Sequence, residues 1–299
     1  MNDSLFKINT KLPKHVGDIF MYKTFHFGTA STRNRDYADY VMKRVEFLRS
    51  NFKTEGELRD LGEQLIIKNE KEALEIYTAS DSFWWTDRVN AFSENRKLSE
   101  NLPDRDEATK NAVQLLEKLK IDTQFMKLQS VTNNIAAFSR SPKDEKGEQY
   151  PTSVNINFSY ELDGFPLFGS GAKTQVSYVT KDQSVEVLHF YRTPKQAGKI
   201  AIISPEEALQ QVLDNSRFAT IKEQGKSSGE ITDVSLGYYT ADPTDLQRYL
   251  LPVYKVQGNV STPLLENYEF NLYVIAAKES QDKAKQTGLV NQPLDTVFN

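Results

Sequence analysis

The stretch from Val154 to Thr180 constrains this chain more than any other. Val154, Ile156, Phe158, Tyr160 and Leu162 alternate with Asn155, Asn157, Ser159 and Glu161, and Thr174, Val176, Tyr178 and Thr180 resume the alternation downstream. Period two marks a strand with one buried face, because successive side chains of an extended chain point to opposite sides. Between the runs lies Leu-Asp-Gly-Phe-Pro-Leu-Phe-Gly-Ser-Gly, residues 162–171. Asp163-Gly164 is a turn dipeptide, since Gly enters positive φ without steric cost. Pro166 then removes a ladder donor just past the turn. The segment is expected to be a hairpin tip that sets the register of two long strands.

Helical spacing interrupts this β pattern three times. Residues 36–52 carry Tyr37, Tyr40, Val41, Arg44, Val45, Phe47 and Leu48 on one amphipathic stripe. A second helix starts at Leu102-Pro103-Asp104, with acids in its first turn to complement the helix dipole and Ala112, Leu115, Leu116 and Leu119 as its apolar side. A third starts at Ser204-Pro205-Glu206-Glu207, where Ser204 and Glu207 have the spacing of a capping box. Strand-like runs follow each helix. Helix then meander, repeated, predicts an α+β fold of tandem units, each a helix packed on an antiparallel β-sheet. The expected divisions are an N-terminal α+β segment at 1–100 read as a divergent repeat, units at 101–196 and 197–278, and a polar tail at 279–299.

Composition narrows the chemistry. The 299 residues include no cysteine, which excludes disulfides, thiolate metal sites and a cysteine nucleophile. A net charge of -4 without a basic run argues against a nucleic-acid surface. No stretch of about 18 apolar residues is present to span a bilayer, so direct membrane insertion of this chain is not expected. His15, His26 and His189 are scattered without ligand spacing, and His189, between Leu188 and Phe190, reads as a satisfied sheet residue. Gly169-Ser170-Gly171-Ala172-Lys173 has the look of a phosphate loop but opens no helix. No cofactor and no metal is expected.

Three blocks resemble the PepSY-like group of domains. They are Leu162 to Gly169, similar to a Gly-x-Pro hairpin; Ile203 to Ala208 as helix start; and Asp233-Val234-Ser235-Leu236-Gly237-Tyr238-Tyr239 with Leu251-Pro252-Val253-Tyr254-Lys255-Val256. The last pair is similar to strands of membrane-tethered regulators that act on a cell-wall-sensing histidine kinase, and more loosely to germination regulators and thermolysin-type propeptides. The resemblance implies a non-catalytic domain that docks a protein or peptide partner at the cell envelope, extracytoplasmic and tethered or lipid-anchored in full-length form. The residues themselves leave a cytoplasmic location open.

Candidate contact residues are the aromatic pairs Trp84-Trp85 and Tyr238-Tyr239. On a strand each pair sends one ring inward and one outward, and an outward ring can anchor a partner. Two alternatives stand beside this reading. One is a cell-wall glycan hydrolase using Asp81, Asp87 or Glu94 beside Trp84 and Trp85, which requires two carboxylates at a set separation. The other is a propeptide-like protease inhibitor.

Overall fold

The computed structural model describes residues 5–25, 35–91, 101–138, 148–215, 227–264 and 266–278. Among them are fifteen strands and four helices, and the protein is mostly β. The expected tandem helix-on-sheet units are not what forms. Strands of the expected units join instead into one large mixed sheet.

Eight strands make an antiparallel array in the order β7 (Met126–Phe138), β8 (Glu148–Leu162), β10 (Lys173–Thr180), β11 (Gln183–Phe190), β6 (Ser82–Asp87), β5 (Glu72–Tyr77), β4 (Gln64–Lys68) and β3 (Leu58–Asp60). The seam is β11 against β6, where Val187 faces Trp85 and His189 faces Phe83. Each of these would end its own meander with unpaired N–H and C=O groups, and pairing satisfies both edges at once. Two helices, α1 (Arg35–Phe52) and α3 (Arg105–Lys118), then share one core on this sheet. Val41, Val45 and Leu48 come from the first, and Ala108, Ala112 and Leu116 from the second. They meet Leu74, Phe83, Trp85, Ile156, Val176 and Val187. A four-residue helix, α2 (Arg88–Ala91), follows β6.

The hairpin tip forms as the sequence predicts and does one thing more. Asp163 and Gly164 both take positive φ, 52° and 80°, and Leu162 pairs with Phe165 across the two-residue turn. Strand β9 (Phe165–Phe168) then leaves β8 and runs parallel to β13 (Ser228–Tyr239), pairing Leu167 with Tyr238 and Phe168 with Tyr239. It thereby joins the eight-stranded array to a second group of strands.

That group contains β13, β14 (Tyr249–Ser261) and β15 (Tyr268–Ile275), all antiparallel. At the start of β13 runs β1 (Phe6–Ile8), in parallel. A ribbon of β2 (Asp18–Thr24) and β12 (Pro194–Ala201) attaches where β14 begins. Helix α4 (Pro205–Leu213) covers one face, with Ala208, Leu209 and Val212 against Tyr254, Val256, Leu272 and Val274. Its capping box is complete: Ser204 Oγ accepts from Glu207 N at 3.1 Å, and Ser204 N donates to the Glu207 carboxylate at 2.7 Å. No helix among the described residues is long and apolar enough to cross a membrane.

Candidate functional site

Tyr238 and Tyr239 divide between the two faces of β13. Tyr238 is fully buried, edge-on to Tyr22, and its hydroxyl donates to the Phe20 carbonyl at 2.7 Å. Tyr239 lies on the face away from α4, only partly buried, and its ring centroid is 5.1 Å from that of Tyr273 on β15. Register explains the meeting. Tyr239 faces Leu251 and Gly237 faces Val253, while Val253 faces Ile275 and Lys255 faces Tyr273. Alternate residues of three neighbouring strands therefore rise from one surface. Gly237 leaves room for Phe168, since a Cβ there would lie 2.5 Å from that ring.

Together these side chains floor a cleft of about 270 Å³, with Leu251, Val253 and Ile275 beside the two tyrosines. Its wall is the connection from β13 to β14, which contributes Ala241, Asp245, Leu246 and Gln247. A loop of this kind would ordinarily be mobile, but here it is tied down from beneath. Arg192, 1% exposed, donates through Nη1 to Thr240 Oγ1 at 3.2 Å and the Ala241 carbonyl at 2.8 Å. Its Nη2 donates to the carbonyls of Asp242 at 2.6 Å and Asp245 at 2.7 Å. Burial pulls the guanidinium down to about 10, with Asp245 and Asp242 opposing that pull. Gln247 adds two bonds, accepting from Ala241 N and donating to the Tyr239 carbonyl, both at 2.9 Å. Ser80 Oγ, in the β5–β6 turn, donates to the Pro243 carbonyl at 2.8 Å and fixes the loop to the eight-stranded array. The result is a preformed apolar recess with Asp242 and Asp245 exposed along its loop.

The tryptophans also split between faces. Trp85 is buried and stacks on Phe52 at 4.6 Å and 9°. Trp84 points to the opposite side, half-buried, its Nε1 donating to Glu186 at 2.8 Å. Trp84 lines no part of the cleft, so of the four candidate aromatics only Tyr239 belongs to it.

Asp81 and Asp87 sit at opposite ends of β6. At about 3.3 Å per residue, six residues place their backbones roughly 20 Å apart, well beyond the separation that lets two carboxylates act on one glycosidic bond. Asp81 occupies the β5–β6 turn at φ 56° and pairs with Arg44 at 3.1 Å; burial pushes its carboxyl up, against the pull of Arg44. Asp87 caps α2 by accepting from Val89 N and Asn90 N, both at 3.1 Å. Glu94 and His26 lie outside the described residues. His15 is exposed, whereas His189 is buried, with Nδ1 2.8 Å from Thr174 Oγ1 and 3.4 Å from the Tyr160 hydroxyl. The glycines of 169–173 serve close approach: a Cβ at Gly169 would lie 2.2 Å from the Thr240 carbonyl oxygen, and one at Gly171 2.1 Å from that of Ala241.

No family model matches the chain, and no curated protein matches it. A solved structure of an uncharacterized protein from Eubacterium rectale ATCC 33656 is similar at 14% identity and a TM-score of 0.47, over 91% of this chain and 88% of that one.

Proposed function

We propose that the protein is a non-catalytic binding module that captures a protein or peptide partner by seating an apolar side chain in the cleft floored by Tyr239 and Tyr273. One observation carries this reading: an apolar recess whose wall is already held by Arg192, so that a ligand need not order it. A volume of about 270 Å³ falls just below the range of about 300–1,000 Å³ usual for small-molecule pockets and suits one or two anchoring side chains. Burying one such side chain supplies about 1.5–3 kcal/mol. Work outside the cytoplasm, at the cell envelope, belongs to the same proposal. Its support is that the two blocks resembling envelope regulators, Leu236 to Tyr239 and Leu251 to Tyr254, supply the strands on which the cleft is built.

Selection of displayed random peptides on the wild-type protein tests the proposal, with Leu246→Asp as comparison. Leu246 is 36% exposed, so the change spares the core while placing a charge in the cleft. Selected peptides should share an apolar anchor and bind the variant at least tenfold more weakly, about 1.4 kcal/mol. Equal binding to both proteins would defeat the reading. Stoichiometric inhibition of a thermolysin-like protease, unaffected by Leu246→Asp, would favour the propeptide-like alternative instead.

A further inference from the structure

A second cavity, of about 480 Å³, opens where the β2–β12 ribbon meets the β5–β6 turn. Lys23 and Lys195 both line it, and they are direct partners in the antiparallel β2–β12 pair. Residues directly opposed in such a pair have Cβ atoms about 4.5–5.5 Å apart, and like charges there are destabilising. Neither ammonium has a carboxylate within ion-pair distance among the described residues. The carboxylate that lines the cavity, Asp81, is engaged by Arg44. Two cations are thus held together facing a common space, and among the described residues no carboxylate pairs with either.

The wall adds a second kind of chemistry. The rings of Phe25 and Tyr40 stand 5.5 Å apart at 55°, and both are more than two-fifths exposed where they line the cavity. Thr193 lies beside them, exposed, on the approach to β12. A ligand matched to this surface carries two negative charges on one compact group and a flat apolar substituent attached to it. A carboxylate supplies a single charge. A phosphate monoester supplies nearly two at neutral pH and three acceptor oxygens for two ammonium groups. We propose that this cavity binds an aryl phosphate, with the phosphate between Lys23 and Lys195 and the ring against Phe25 and Tyr40. The site is distinct from the apolar cleft. The same loop touches both, since the Thr24 hydroxyl donates to the Gln247 carbonyl.

Calorimetric titration of the full chain with phenyl phosphate, inorganic phosphate and benzoate is the direct test. Phenyl phosphate should bind most tightly, and Lys23→Gln and Lys195→Gln should each weaken it about tenfold or more. Leu246→Asp should leave it unchanged, which separates this site from the cleft. Without ligand, each lysine variant should melt at the wild-type temperature or above it, because a like-charge contact has been relieved. No heat from phenyl phosphate, equal binding of benzoate, binding indifferent to both substitutions, or a lowered melting temperature in the ligand-free variants would each overturn the proposal. A phosphotyrosyl peptide that binds more tightly than phenyl phosphate would assign the aryl phosphate to a polypeptide, and the reverse order to a free small molecule; either supports the site.

Discussion

Replacing Arg192 with methionine should destabilise the protein by about 3 kcal/mol, an expectation set by two opposing terms. Burial, partly offset by Asp245 and Asp242, leaves the guanidinium lowered from 12.5 to about 10, a net of roughly 3 kcal/mol against holding the charge inside at neutral pH. Against that stand four hydrogen bonds from a charged donor, each worth at least about 1.5 kcal/mol, so the bonds exceed the burial cost by a similar margin. Methionine keeps much of the aliphatic stem but offers no donors, leaving the carbonyls of Ala241, Asp242 and Asp245 to find water. Lysine should fall between, since an ammonium keeps the charge and loses the planar fork. Urea unfolding followed by the fluorescence of Trp84 and Trp85 measures the change, and peptide capture at the cleft should weaken in parallel. An Arg192→Met protein as stable as wild type, or more so, would refute the reasoning. It would mean that desolvation outweighs the bonds, as happens when some buried ionic contacts are replaced by apolar side chains.

Three further outcomes follow from the same structure. Burial, with a smaller contribution from Arg44, pulls the His189 imidazole from 6.5 down to about 3, so between those pH values the unfolded chain takes up a proton that the native state refuses. Stability should therefore fall as pH drops through that window, by roughly 3 kcal/mol at pH 4 from this group, and the curve of His189→Asn should be flatter by that amount; parallel curves would count against it. Gly171→Ala would place a Cβ 2.6 Å from Arg192 Nη1 and 2.1 Å from the Ala241 carbonyl oxygen, so about 2–3 kcal/mol and much of the peptide binding should be lost. Gly164→Ala meets no atom within 4 Å and should cost only about 1–2 kcal/mol from its φ of +80°, with peptide binding intact. Equal loss of capture in both alanine variants would show that loop placement does not control the cleft.

The parts of the fold legible in the sequence are those closed by bonds between near neighbours. The Ser204–Glu207 box and the Asp163-Gly164 turn each form within a few residues, so side-chain chemistry and φ preference specify them locally. The division of Trp84 from Trp85 and of Tyr238 from Tyr239 follows from strand geometry in the same way. The β11–β6 seam was not legible, because an edge strand bears the same alternating pattern whether it stays open or pairs with a distant strand. That pairing, with those of β9 to β13 and β2 to β14, turned the expected tandem units into one large mixed sheet. Tyr239 could be singled out as an outward ring, but Tyr273 and the Leu246 wall carry no local signal. Arg192, between Tyr191 and Thr193, has no pattern that tells a buried anchor from a surface arginine.

By itself, then, the sequence determined turns, caps and the facing of residues along each strand, all of which depend on contacts a few positions apart. Tertiary structure alone decided which edges meet. Those meetings place Arg192 beneath residues 240–245, Tyr239 beside Tyr273, and Lys23 opposite Lys195 across 172 positions of chain. Backbone hydrogen bonding between strand edges is blind to side-chain identity, so a linear pattern names the residues of a strand and not the residues that will lie across from them.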